Sequence, residues 1–134
     1  MSAALALQQA VHAALAADPE LAALIGAGIY DGPQRNAAPP HLHFADASER
    51  DWSTGTEAGA EVAFPIVALS RERGREETLA IMERVRAVLH DAVFAVEGWR
   101  LVSLRLVAME SGGFDKGDTR RAAARFRARL EPIS

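Results

Sequence analysis

The feature that most constrains the fold is an alternation of small apolar residues and arginines near the end of the chain. Every even position from 122 to 130 is apolar, whereas four of the odd positions from 121 to 129 are arginine: Arg121, Arg125, Arg127 and Arg129. Successive side chains of a strand point to opposite faces. The pattern therefore predicts a strand over 119–130 with one apolar face and one guanidinium face.

A second extended segment precedes this strand. Residues 99–109 are rich in branched and aliphatic side chains, and residues 110–118 have the glycine-rich, polar composition of a turn. The two segments together predict a long antiparallel hairpin. Because one face of this hairpin is apolar, we expect earlier parts of the chain to cover it.

Helices are predicted where apolar residues recur at helical spacing. These segments are 3–17 and 76–90, the latter with an apolar stripe that begins at Leu79. Asp18 followed by Pro19 is typical of a helix start, so a short further helix should lie between the two longer ones.

Further strands are predicted at 29–30, 41–47, 60–70 and 93–96, the second with an extension toward Trp52. Pro65 cannot donate a hydrogen bond to a neighbouring strand, which favours an edge position or a bulge for 60–70. The order of elements predicts an α+β fold, in which two main helices pack on a mostly antiparallel sheet of four or slightly more strands. The length of 134 residues fits one domain, 1–134.

Composition narrows the classes of function. The chain has no cysteine, so it has no disulfide framework and no cysteine-based metal site. The first residues lack a basic leader and no apolar run approaches membrane-spanning length, so we expect a cytoplasmic protein without a membrane partner. The net charge of −3 argues against a general attraction to nucleic acid.

No arrangement of residues predicts catalysis, since the nucleophile-elbow, phosphate-loop and zinc-protease motifs are absent. His41, His43, Glu49 and Asp51 share one parity. Glu49 would nevertheless lie about 20 Å beyond His43 on an extended strand, at roughly 3.3 Å per residue, which is too far for one metal ion. We expect these residues to form a solvent or interface face, and we expect no catalytic activity, cofactor or metal.

Charge segregation is the stronger signal. Acids dominate 41–61, where Arg50 is the lone arginine, whereas 119–130 contains five arginines and no acid. Three arrangements are open, in decreasing order of preference. The arginines pair with acids on a neighbouring strand of the same sheet. They meet the acidic segment of another subunit in a head-to-tail contact. Or they line a nucleic-acid path.

Motifs along nearly the whole chain resemble those of one protein family. They are Ala-Leu-Gln-Gln-Ala-Val-His-Ala-Ala-Leu at 6–15, Ile-Tyr-Asp-Gly-Pro at 29–33, Glu-Arg-Asp-Trp-Ser-Thr at 49–54, Arg-Glu-Glu-Thr-Leu-Ala-Ile at 75–81, Val-Leu-His-Asp-Ala at 88–92 and Gly-Trp-Arg-Leu-Val at 98–102. In this order they resemble the tail terminators, or tail-completion proteins, of phages with long non-contractile tails and of the gene transfer agents of alphaproteobacteria.

The resemblance implies an α+β subunit that forms a ring, typically of six, on the head-proximal end of the tail tube. Such a ring stops tube growth and joins the tube to the head–tail connector, and DNA crosses its opening. The implied partners are further copies of the chain, the tail tube protein and the connector protein. The protein would be made in the cytoplasm and then built into the particle. A homo-oligomeric head–tail adaptor is the alternative, and a small enzyme is a distant third.

Several residues are expected at subunit or partner contacts because they carry the segregated charges or lie in the predicted turn: Glu49, Asp51, Trp52, Glu61, Phe114, Arg121, Arg125, Arg127 and Arg129. The loops 53–59 and 111–118 are expected to be mobile until a partner docks. Phe114 is either an exposed apolar anchor or a residue that packs back onto the sheet; the sequence favours neither.

Overall fold

The computed structural model describes residues 1–71, 75–114 and 119–133, and it describes Phe114 by its backbone alone. The helices are α1 (Ala3–Ala16), α2 (Pro19–Ile25) and α3 (Glu76–Leu89). The strands are β1 (Ile29–Tyr30), β2 (His41–Phe44), β3 (Ser48–Asp51), β4 (Ala60–Ser70), β5 (Trp99–Phe114) and β6 (Arg120–Pro132). The predicted α+β class is confirmed, and the described strands form one mostly antiparallel sheet of six.

The strand β4 lies at the centre of the sheet, which follows the order β1-β2-β4-β6-β5. Neighbouring strands are antiparallel except for β1 and β2, which are parallel. The single strand predicted from residue 41 is wrong, because the chain pairs with β4 in two pieces. β2 ends at Phe44 and β3 begins at Ser48, so the two strands lie end to end along the same side of β4.

This interruption accommodates Pro65. The sequence favours an edge position or a bulge for Pro65, yet it pairs with Arg125 inside the central ladder. Its carbonyl oxygen accepts a hydrogen bond from the Ala45 N–H at 3.1 Å, so its nitrogen also points toward the side of β2 and β3. There β2 has ended and β3 has not begun, so the missing N–H breaks no ladder bond.

The described helices pack on one face of the sheet. Even-numbered residues of β4 and β6 build that face, including Phe64 and Phe126, whose rings stack with centroids 5.6 Å apart. The predicted stripe of α3 is wrong at its start, because Leu79 is 40% exposed. Thr78 and Ile81 are buried in place of Leu79.

The C-terminal hairpin is longer than the sequence predicts. β5 continues to Phe114, so 110–114 is strand where a turn is predicted, and β6 continues to Pro132. The register between the two strands shifts at three points, between Leu101 and Ser103, Leu106 and Ala108, and Ser111 and Gly113. Each shift is a β-bulge, which inserts one residue and displaces the alternation of faces by one position.

The predicted strand at 93–96 is wrong, since only Val96 forms a bridge there, with Trp99. The chain after α3 instead covers the middle of the outer edge of β5. The Asp91 N–H donates to the Leu104 carbonyl at 2.8 Å, and the Leu106 N–H donates to His90 Nδ1 at 2.9 Å. These bonds protect part of an edge strand whose backbone groups would otherwise be open to pairing.

Asp18 connects two helices. Its carboxylate accepts the Leu21 N–H at 2.9 Å, which caps α2, and it accepts two further bonds from Arg84 of α3, at 2.8 and 3.1 Å. The hydrogen bond from Arg84 is the largest cause of a lowered pKa at Asp18. This pair fixes the start of α2 against α3.

Asp18→Ala removes both the cap and the ion pair, so we expect it to lower the free energy of unfolding by about 1–3 kcal/mol. Asp18→Asn keeps a capping oxygen and should cost less. Because folding lowers the pKa of Asp18, the carboxylate stabilises the fold at neutral pH, and this contribution is lost as the pH falls below about 4.

Urea unfolding of wild type and both variants, at neutral and at acidic pH, measures these differences. The loss caused by Asp18→Ala should shrink in acid. A loss that is the same at both pH values would show that the ion pair contributes nothing.

Candidate interaction surface

The face of the sheet opposite the described helices, called here the outer face, has an apolar end and a charged end. At the apolar end, Val67, Leu69 and Ala123 form a small buried cluster with Ala45 packed against it. At the other end, the arginines of β6 alternate with core residues and are partly or fully exposed. The predicted guanidinium face is therefore present, and it lies on the side away from α1, α2 and α3.

Glu61 is the centre of an ion-pair cluster at the β3 side of the outer face. Its carboxylate receives Nε of Arg129 at 3.1 Å and Nε of Arg50 at 3.1 Å. The guanidinium of Arg129 also lies 5.1 Å from the centroid of the Trp52 ring. The hydrogen bond from Arg129 is the largest cause of a lowered pKa at Glu61. Three predicted contact residues, Trp52, Glu61 and Arg129, are thus brought together within the chain.

Glu49 and Asp51, the other predicted acids of this region, support local structure. Glu49 Oε1 accepts the Ala4 N–H at 2.8 Å, at the start of α1. Asp51 accepts the Ser53 N–H at 3.1 Å, and its pKa is lowered mainly by the hydrogen bond from the Ser53 hydroxyl. Further hydrogen bonds close the loop 53–59. These bonds restrain the loop. Its mobility in the free protein stays a prediction.

Arg125 also has a partner within the sheet. It pairs with Glu110 of β5 at 3.2 Å, and the two side chains are 57% and 58% exposed. Arg121 lies opposite Leu69 of β4, at the apolar end. The first of the three arrangements, arginines paired with acids of neighbouring strands, is therefore confirmed for Arg125 and Arg129.

Arg127 differs from these neighbours. In the ladder it lies between Ala63 of β4 and Arg105 of β5, neither of which is an acid, whereas Arg129 lies directly opposite Glu61. Within the described part of the chain, Arg127 forms no ion pair. Arg105 has Asp91 at 3.7 Å and is 59% exposed.

Sequence reasoning missed Arg50, Arg105 and Glu110 as members of the outer face. Arg105 and Glu110 have opposite parity, yet both face outward because the bulge between Leu106 and Ala108 displaces the alternation. A search for period-two patterns cannot assign faces across such a bulge.

Phe114 ends β5, where its backbone pairs with Arg120. Its side chain and residues 115–118, the rest of the predicted mobile turn, lie outside the described part of the chain. The prediction of an apolar anchor at Phe114 therefore stays a prediction.

His41 and His43 are buried, at 1% and 7% exposure, which makes the predicted solvent or interface face wrong for both. They lie opposite Leu69 and Val67 of β4, at the apolar end of the outer face. In the segment before β2, the Ala38 carbonyl lies 3.4 Å from His41 Nδ1. Among the described residues, no group of three metal-ligating side chains is close enough to hold an ion. The described helices also include none that is long and apolar enough to cross a membrane.

Two comparisons relate this fold to known proteins. A family model described as tail completion protein gp17 matches residues 9–131. A chain in a solved structure of the virion of a native gene transfer agent particle matches with a TM-score of 0.88 and 34% sequence identity, over 97% of this chain and 98% of that chain. No curated protein matches the chain at a significant level.

The fold, its surface and these matches define a class of virion-related structural domains, because both the family model and the solved structure cover nearly the whole chain. The chain belongs to the tail completion protein family. The family identified from the six sequence motifs is therefore confirmed.

Glu61→Gln keeps the size of the side chain and removes the charge that Arg50 and Arg129 share. We expect this variant to be less stable than wild type at pH 7, because two guanidiniums lose a largely buried carboxylate. Folding lowers the pKa of Glu61, so its contribution is present above the usual glutamate pKa and is lost as the pH falls through the lowered value.

Glu110→Gln is the matched control, because it removes an exposed carboxylate that pairs with Arg125 on the same face. Thermal unfolding should show a clearly larger loss for Glu61→Gln than for the control at pH 7, and a smaller difference in acid. Equal losses for the two variants would contradict a structural role of the Glu61 cluster.

Proposed function

We propose that this chain is a tail terminator of a phage-like particle. Copies of it would form a ring, with six as the expected number, on the head-proximal end of the tail tube. The observation that carries this proposal is the match, at 34% identity and over 97% of the chain, to a chain of a gene transfer agent virion. Membership of the tail completion protein family is a second, independent support for this role.

The physical task of a terminator suits a subunit of this kind. A tail tube grows by adding identical rings, so each exposed end is a template for the next ring. Growth stops when a subunit binds the end but presents a different surface on its other side. A compact domain with a formed core can do this without catalysis, and we propose that the whole chain, 1–134, acts as one such non-enzymatic domain.

The outer face is the surface we assign to contact between subunits. Its charged end is exposed on the side away from the helices and holds several arginines. Arginines are frequent in protein interfaces because their planar guanidinium can bind a carboxylate through two hydrogen bonds. Of the predicted contact residues, those on or beside this face remain the candidates: Trp52, Glu61, Arg121, Arg125, Arg127 and Arg129. Glu49 and Asp51 lie opposite Val62 and Ala60, on the side of the helices, and are bonded within the chain, so they are the weaker candidates. Phe114 remains a candidate anchor for a different neighbour.

The proposed partners follow from the position in the particle. One side of the ring would contact the tail tube protein, the other would contact the head–tail connector, and DNA would pass through the opening. Assembly would take place in the cytoplasm, after which the chain would remain in the particle.

Deletion of the gene in a strain that makes the particles tests this function. We expect DNA-filled heads that are separated from tails, and tails of abnormal length, because nothing then ends tube growth. Negative-stain electron microscopy with length measurement gives both results, and complementation with the wild-type gene is the control. Joined particles of normal length would refute the proposal. Separated heads with tails of correct length would replace the terminator by the head–tail adaptor.

A further inference from the structure

The charged end of the outer face consists of three rows that cross the sheet from β4 through β6 to β5. The first row contains Arg129, which is paired with Glu61 of β4. The third row contains Arg125, which is paired with Glu110 from the adjacent row of β5. The middle row is Ala63, Arg127 and Arg105, which has two cations side by side and no acid. Arg127 is therefore the cation of this row that has no ion pair in the described part of the chain, although the charge of Glu61 acts on it from the neighbouring row.

The contact between Arg105 and Arg127 is unfavourable in itself. The two are direct partners in the antiparallel ladder, and like charges in that position destabilise a sheet. Asp91 lies 3.7 Å from Arg105, and Glu61 attracts Arg127 without forming an ion pair with it. A neutral residue at position 127 would remove the repulsion from Arg105, so the pairing of β5 with β6 does not explain the arginine.

The surroundings of Arg127 leave room for an incoming group. Arg127 borders an open depression of about 310 Å³ whose lining also includes Arg50, Glu61 and Arg125, whereas Arg105 lies outside this lining. Ala63, also in this lining, is exposed and has a side chain of one methyl group, so the depression is shallow and accessible. Guanidiniums at the border of such a site can bind a carboxylate by paired hydrogen bonds.

We propose that Arg127 and Arg105 form a clamp that receives the carboxylate of Asp46 from a second copy of this chain. The inference rests on the proposed ring and names the contact that joins its subunits. In a head-to-tail contact the two partners use different surfaces. Here the segment between β2 and β3 of one copy would contact the outer face of the next copy.

Asp46 is the acid whose position and freedom fit this contact. It lies between β2 and β3, along the side of β4 opposite to β6 and β5. It is exposed, and within the described part of the chain it has no hydrogen bond or ion pair.

Three of the other acids of 41–61 are engaged within their own chain. Glu49 binds the start of α1, Asp51 binds Ser53, and Glu61 binds two arginines. The Glu57 carboxylate has no ion pair in the described part of the chain, but Glu57 lies in the loop that joins β3 to β4. Asp46 differs from Glu57 because it lies between β2 and β3, beside the central strand.

The first measurement is the thermal stability of the isolated chain. Arg127→Gln removes the like-charge contact with Arg105 without placing a second carboxylate near Glu61, so we expect its unfolding midpoint to rise by about 1–4 °C. A fall of the midpoint would show that Arg127 is needed by the fold itself, and it would overturn the proposal.

The second measurement is the amount of the chain in purified particles, for wild type and for charge variants in the deletion strain. Arg127→Glu and Asp46→Arg should each reduce incorporation by about tenfold or more, the effect of losing a close interfacial charge pair. The double variant Asp46→Arg with Arg127→Glu restores the pair in reversed form, so its incorporation should recover to within about threefold of wild type.

The matched control is Asp46→Arg combined with Arg86→Glu, which has the same net charge as the swap. Arg86 lies on α3, on the other side of the molecule from the outer face, where it is 54% exposed. This control should not recover. Recovery of the control to the level of the swap would overturn the proposal, because net charge alone would then explain the result.

Two further outcomes overturn the clamp. One is normal incorporation of Arg127→Glu. The other is failure of the swap to recover incorporation. If the wild-type chain, unlike Arg127→Glu, also binds a short DNA duplex, the arginines receive a phosphate in place of a carboxylate. Absence of the wild-type chain from particles would overturn the proposed function together with the clamp. Wild type and Arg127→Glu present in equal amounts would overturn the clamp alone.

Discussion

The pairing of β4 with β6 is the interaction on which the rest of the structure depends. The two strands are antiparallel partners from Ala60 opposite Leu130 to Ser70 opposite Arg120, without a register shift. Their even-numbered residues form the floor on which the described helices pack, and their odd-numbered residues form the outer face. A shift of this register by one position would exchange the two faces and place arginines in the core. The core and the charged surface are therefore specified by one ladder.

The sequence predicts this ladder well where the alternation is regular. The alternation of β6 and the extents of α1, α2 and α3 follow from local patterns, since capping and periodicity act over a few residues. The sequence fails where a distant partner decides the outcome. Pro65 is central because β2 and β3 leave a gap beside it, and His41 is buried because the preceding segment folds back. Because β5 contains bulges, its alternation does not predict that Arg105 faces outward. No local pattern predicts that Arg105 lies opposite Arg127.

The arginines of the outer face differ in whether they form ion pairs within the chain. Arg129 and Arg125 are neutralised within the chain, whereas Arg127 faces another arginine. The paired arginines support the fold, whereas Arg105 and Arg127 are the residues assigned to the proposed contact between subunits. Proteins accept such local conflicts where they bind partners. The acids differ in the same way. Glu49 and Asp51 are bonded to a helix start and a loop of their own chain, whereas Asp46 is not.

The proposed terminator role makes a claim about position that electron cryo-microscopy of intact particles can test directly. A map that resolves the head–tail junction should contain this chain as a single ring between the last ring of the tail tube and the connector. The outer face of each subunit should then lie against the next subunit of that ring. Finding the chain at the distal tip, or stacked in many copies along the tail, would contradict the account.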